Sequence, residues 1–234
     1  MHEEHEPFTW LGLIPGLHGI ESHVLTAILI AALLVIGGVV AVAQMRAATN
    51  PVVPEGRLSF RGFFELVAEK LLQLCQSVMG EKEAQTYFPL IATLFVFIFV
   101  SNIIGLIPGF LPPTDNINTT LALGVFVFIF YNLQGLKAHG IGYLKHFLGP
   151  VWYLAPLMLV IEVVSHVFRP ISLGLRLRGN IMGDHIVLHV FTDLTKVGLP
   201  IIFYGMGVFV SFIQAFVFCL LTMVYISLST AHDH

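Results

Sequence analysis

Four stretches of the chain carry no charged side chain over roughly a membrane's width: 24–44, 88–111, 117–136, and 197 to the C-terminal tail. A helix of about 20 apolar residues crosses the hydrocarbon core, so each predicts a membrane-spanning helix. A further apolar stretch, from residue 151 to about 184, is interrupted by polar side chains at helical spacing. Between the first two spans the pattern changes. Phe60, Phe63, Phe64, Val67, Leu71, Leu74, Cys75 and Val78 recur at helical spacing, with Arg61, Glu65, Glu69, Lys70, Gln73 and Gln76 between them. That pattern predicts an amphipathic helix over 58–80, lying on the cytoplasmic membrane surface, with a packed cytoplasmic helix as the alternative. Residues 140–150 read as a second, shorter interfacial linker.

The predicted fold is therefore an all-α membrane protein. It has about five membrane-embedded helices plus the amphipathic interfacial helix, and the last two (151–230) form a long tilted hairpin. No internal repeat divides the chain, and residues 1–234 form a single membrane domain. The final stretch, 197–229, is longer than a perpendicular crossing needs. Tilt accommodates excess apolar length, and Pro200, Gly205 and Gly207 offer places to bend.

Composition excludes the soluble alternative. Of 234 residues, 56% are hydrophobic and 11% charged, against about 25% charged in an average soluble domain. The first apolar run follows an acidic segment with no basic flank, so it reads as a retained helix rather than a cleaved signal peptide. Cys75 and Cys219 read as small buried hydrophobes. A net charge of −3 without a basic stripe excludes nucleic acid as a partner. No glycine-rich phosphate loop is present, and no cofactor or metal site is implied.

Basic residues are distributed unevenly. None precedes Arg46, whereas Arg46, Arg57, Arg61, Lys70 and Lys82 crowd the first connection, and Lys137 and Lys145 follow the third span. The positive-inside rule puts the N-terminal segment (1–22) outside and the C-terminus in the cytoplasm.

The informative segment is 151–184. On a helix at about 100° per residue, Glu162, Ser165, Arg169, Ser172 and Asn180 all lie within about 40° of Arg176. They form one polar stripe on an otherwise apolar helix. A charge in the bilayer costs at least about 3 kcal/mol, and arginine cannot escape by losing its proton. Glu162 is about 21 Å from Arg176 along the axis, too far to neutralise it. Asp115, Asp184 and Asp193 sit at span ends, which points to a carboxylate on another protein. Gly174 and Gly179 flank Arg176; small residues allow close helix approach, which suits a surface that another protein must pass. Arg178, about 200° round, faces away from the stripe.

The run 170–180 (Pro-Ile-Ser-Leu-Gly-Leu-Arg-Leu-Arg-Gly-Asn), followed by 214–218 (Gln-Ala-Phe-Val-Phe) and 221–225 (Leu-Thr-Met-Val-Tyr), closely resembles subunit a of F-type ATP synthases of the bacterial type. The segments 101–109 and 119–123 resemble the same family's middle hairpin. The resemblance covers essentially the whole chain. It implies a proton-conducting stator in the bacterial inner membrane, set against a ring of c subunits with lipid-buried carboxylates. It also implies peripheral-stalk b subunits and other ATP synthase subunits as partners, and no catalysis by this chain itself. Two offset half-channels would bring protons to the ring.

On that resemblance Arg176 matches the essential charge barrier between the half-channels. Asn180 and Gln214 match polar residues of the outer half-channel, although both side chains would equally serve as interhelical hydrogen-bond partners. Glu162, Ser165 and Ser172 match positions on the cytoplasmic side of the same helix. His185 falls where relatives carry a glutamate or histidine, and histidine relays protons near neutral pH. Some relatives add a titratable residue on the last helix, where this chain has Gly207. The expectation is that Asp184 supplies the second proton-binding group instead. A stand-alone secondary transporter would usually show repeats and broken midplane helices, and a purely structural anchor would not need the buried polar stripe.

Overall fold

The computed structural model describes residues 9–10, 21–47, 60–140, 142, 155–195 and 198–230. The interfacial linker expected at 140–150, most of the N-terminal segment and the last four residues lie outside the described residues, apart from Gly140 and Gly142. The described chain is helical: α1 (Ser22–Ala47), α2 (Phe60–Met79), α3 (Glu81–Ile104), a short 3-10 turn (Pro113–Asp115), α4 (Ile117–His139), α5 (Ala155–Leu194) and α6 (Leu199–Thr230). Five of them, all but α2, are long and apolar enough to cross a membrane. The protein is an all-α membrane protein.

Local chemistry sets the boundaries. Gly80, at φ 84, separates α2 from α3 in a conformation that favours glycine. Asn116 caps α4, its side chain accepting from the Asn118 amide at 2.8 Å, and Lys137 and His139 occupy the last turn of α4, where cations complement the helix dipole. Gly198, at φ 95, precedes α6.

The inner face of α6 is the centre of the molecule, packing against α2, α3, α4 and α5. Ala215, Phe218, Cys219, Met223 and Ile226 are buried on it, against Ile91, Leu94 and Ile98 of α3, Val127 and Tyr131 of α4, and Leu173 and Leu177 of α5. The amphipathic α2 turns Leu71, Cys75 and Met79 inward, a spacing of one helical turn each. Cys75 and Cys219 are both fully buried and unbridged, as small hydrophobes should be. Burial pushes the Cys75 thiol up, away from the reactive thiolate. Most of α1 and the outward side of α5, including Val35, Ile36, Val160 and Phe168, are exposed apolar surface, as lipid requires and water would not tolerate.

Two expectations change. The longest helix is α5, with 40 residues against 32 in α6. It measures about 60 Å, roughly twice the hydrocarbon thickness. The segment was expected to end near residue 184, and the helix continues ten residues further, to Leu194. Gly174, expected on a surface open to a passing partner, is instead buried inside the chain. A Cβ on it would lie 3.1 Å from the Leu121 backbone of α4, and one on Gly124 would lie 2.5 Å from the Pro170 carbonyl oxygen. Glycines therefore bring α4 and α5 into backbone contact, as small residues do in membranes.

Candidate functional site

Burial on α5 follows one side of the helix. His166, Pro170, Leu173, Gly174, Leu177 and Ile181 are buried against the bundle. Their directions centre about 110° from that of Arg176, so the polar stripe lies beside the packed face rather than within it. Ser165, Ser172, Arg176 and Asn180 are exposed, and Glu162 and Arg169 are half-buried. Gly179, near the stripe, has open space around it.

Arg176 makes no hydrogen bond or ion pair among the described residues. Glu162 does not reach it and instead meets Arg169 of the next turns, at 3.7 Å. The two arginines of the stripe thus differ in kind, one paired within the chain and one not. Arg178, expected to snorkel or to pair with a lipid or another subunit, lies on the opposite side of α5 and binds within the chain, its Nε donating to the Asp115 carbonyl oxygen at 3.0 Å. That bond ties α5 to the turn before α4.

Polar residues continue from Arg176 toward the Leu194 end of α5. One turn on, Asn180 Nδ2 donates to Gln214 Oε1 of α6 at 2.6 Å. Gln214 is buried, with Ser211 and Gly207 on the same side of α6. Gly207 faces Asp184: a Cβ there would stand 2.9 Å from Asp184 Oδ2 and 2.6 Å from Leu106 Cδ2. The carboxylate of α5 therefore occupies space that any side chain at 207 would take. His185, next along, packs its ring by Gly105 and Pro112, with Cε1 2.9 Å from the position a Cβ on Gly105 would take.

Beyond Pro112 lies a cavity of about 650 Å³, lined by Glu21, His23, Pro112, Asp115, Asn116 and Arg178, among others. His23 Nδ1 is 3.1 Å from Glu21 and 3.2 Å from Asn116 Nδ2. A second polar group is fully buried between α3, the 3-10 turn and α6. Thr114 Oγ1 donates to Asn102 Oδ1 at 2.7 Å, and Asn102 Nδ2 reaches the Ser211 carbonyl at 3.5 Å. Sequence reasoning gave no role to His23, Asn102, Thr114, Asn116 or Ser211. The signal for Asn102 and Ser211 is an amide or hydroxyl in an apolar run. For His23 and Asn116, at helix starts, only the tertiary arrangement reveals the shared cavity.

The polar positions converge on one helix pair, and the sequence profile of the ATP synthase A chain family matches residues 24–227. The chain belongs to this family, subunit a of F-type ATP synthases. Among its relatives, ATP synthase subunit a of Bdellovibrio bacteriovorus is 50% identical over 229 residues, 97% of this chain and 99% of that one. ATP synthase subunit a of Geobacter sulfurreducens is 52% identical over 182 residues, covering 77% of this chain and 78% of its own. ATP synthase subunit a 2 of Syntrophotalea carbinolica is 48% identical over 217 residues, 93% of this chain and 89% of its own. The family match spans α1 through almost all of α6, so the stripe and its neighbours lie inside the shared region.

Proposed function

We propose that this chain is the proton-conducting stator subunit of a rotary F-type ATP synthase. It forms two half-channels with a c ring and couples proton movement to ring rotation. The observation that carries the reading is Arg176: a permanent cation, exposed on a membrane helix, with no hydrogen-bond or ion-pair partner among the described residues. A carboxylate on a passing c subunit would complete it. At an effective dielectric of about 20, a cation ~4 Å from a carboxylate is worth ~4 kcal/mol, so each c carboxylate would lose its proton as it reaches Arg176. The same charge would repel a proton moving directly between the half-channels.

The outer half-channel is assigned to the Leu194 end of α5, and the cytoplasmic half-channel to Glu162, Ser165 and Ser172. Protons would enter at the cavity of Glu21, His23 and Asp115, pass His185, and reach Asp184 in the space left by Gly207. Asn180 and Gln214 carry the route to the ring. The contact of Asp184 with Gly207 supports Asp184 as the second proton-binding group of this channel. In this reading the N-terminus is outside, the C-terminus is cytoplasmic, and peripheral-stalk b subunits hold the chain against rotation. ATP chemistry belongs to other subunits.

The test is ATP-driven proton pumping in inverted membrane vesicles containing the whole complex. Arg176→Ala should abolish coupled pumping while ATP hydrolysis by the complex persists or uncouples. Sustained coupled pumping by this variant would refute the reading. Asp184→Asn should lower pumping at least several-fold, and unchanged pumping removes Asp184 from the route.

A further inference from the structure

The proposed mechanism requires one unneutralised cation on the stripe, yet the stripe carries two arginines. Arg169 precedes Arg176 by two helical turns, about 10 Å along the axis and within about 20° of the same direction. A second free guanidinium there would compete for the c carboxylate and raise a barrier inside the cytoplasmic half-channel. Charge-pairing with Glu162 answers only part of this. The pair is 3.7 Å long and partly open, with the Glu162 side chain 40% exposed. At that length it is an ion pair without a hydrogen bond, so it leaves the direction of the guanidinium open.

A second contact holds Arg169. Its guanidinium carbon lies over the ring of Tyr225 of α6, 5.3 Å from the centroid. That is within cation–π range, and arginine is well suited to it. The Tyr225 ring is itself backed by Tyr131 of α4 at 5.7 Å, and Tyr131 meets His166 of α5 edge-on at 5.5 Å. His166 is anchored to Asn132 of α4 at 3.0 Å. The aromatic wall that receives Arg169 is therefore built from three helices, and no comparable ring stands over Arg176 among the described residues.

We infer that Tyr225 is a positioning residue that draws Arg169 back against α6, so that the stripe presents Arg176 as its single free cation. This rests on the stator reading given above. Tyr225 acts through the face of its ring, with the hydroxyl unneeded. Cation–π contacts span about 0.5 to 2 kcal/mol, so losing the ring face should lower the ratio of tied-back to free Arg169 by roughly two- to thirty-fold.

The experiment uses the complete ATP synthase in inverted vesicles, with pumping expressed per ATP hydrolysed and per amount of this chain in the membrane. Tyr225→Met fills similar volume without a π face, and Tyr225→Phe keeps the face without the hydroxyl. Pumping should fall at least threefold in Tyr225→Met and stay within about twofold of wild type in Tyr225→Phe. Adding Arg169→Gln to Tyr225→Met should restore pumping, because the stray cation is then gone. A merely structural tyrosine gives no such rescue. Wild-type pumping by Tyr225→Met, loss in Tyr225→Phe, or a double variant no better than Tyr225→Met would each overturn the inference. Any of those results, with Arg176→Ala still inactive, leaves the stator reading standing; pumping by Arg176→Ala removes both.

Discussion

Replacing Gly207 by alanine adds a single methyl group where α6 faces α5. That methyl would sit 2.6 Å from Leu106 Cδ2 and 2.9 Å from Asp184 Oδ2. Carbon atoms in ordinary contact are about 3.5 Å or more apart, so both neighbours must retreat by roughly half an ångström or more. Overpacking of this kind costs about 1–3 kcal/mol. Both contacts are the ends of flexible side chains rather than backbone, which places the cost near ~1 kcal/mol. The fold should survive, and what moves is the carboxylate. About one kcal/mol changes a two-state ratio by about fivefold, so the ratio of correctly placed to displaced Asp184 should fall by about that factor. Proton pumping per assembled complex in inverted vesicles, and passive proton flux through vesicles stripped of the catalytic head, should both drop, by up to about fivefold. Gly205→Ala is the control, since Gly205 has open space around it. It should leave both measurements unchanged. If Gly207→Ala conducts as well as Gly205→Ala, the Asp184 carboxylate does not depend on the space at Gly207, and the account of this missing titratable group fails.

Other expectations follow from the same contacts. Gly124→Ala forces a methyl to within 2.5 Å of the Pro170 carbonyl oxygen; backbone cannot swing aside, so the loss should reach about 3 kcal/mol and appear as reduced chain in membranes. Gly179→Leu, set in open space, should accumulate normally but obstruct ring passage and lower coupled pumping, and normal pumping would show that no partner passes there. Thr114→Val strands the Asn102 amide oxygen in a buried site, costing about 1–3 kcal/mol, detectable as a lower thermal midpoint of the detergent-solubilised complex. Cys75 and Cys219, both fully buried, should resist a membrane-permeant maleimide in the assembled complex, and rapid labelling of either would contradict the packing around α6.

Much of this protein is written in local chemistry. Charge-free runs mark four spans because lipid offers nothing to charged side chains, and the spacing of Glu162, Arg169, Arg176 and Asn180 places them on one stripe because a helix turns at a fixed rate. The family resemblance rests on the run 170–180, which holds Arg176 and Asn180, and on segments of three other helices. The last ten residues of α5 were not legible, since Asp184, His185 and Asp193 interrupt the apolar signal there.

What only the tertiary structure decided concerns pairs of helices. Helix periodicity cannot say that Asp184 fills the room left by Gly207, that Arg178 ties itself to the Asp115 carbonyl, or that Gly174 packs inside the bundle while Gly179 stays open. Nor does it distinguish Arg169 from Arg176, which share one direction on one helix. Their difference comes from Glu162, which reaches only Arg169, and from α6, which places the ring of Tyr225 over Arg169 and, among the described residues, no ring over Arg176. A charge's identity is fixed by its residue, but its availability depends on what a neighbouring helix brings to it.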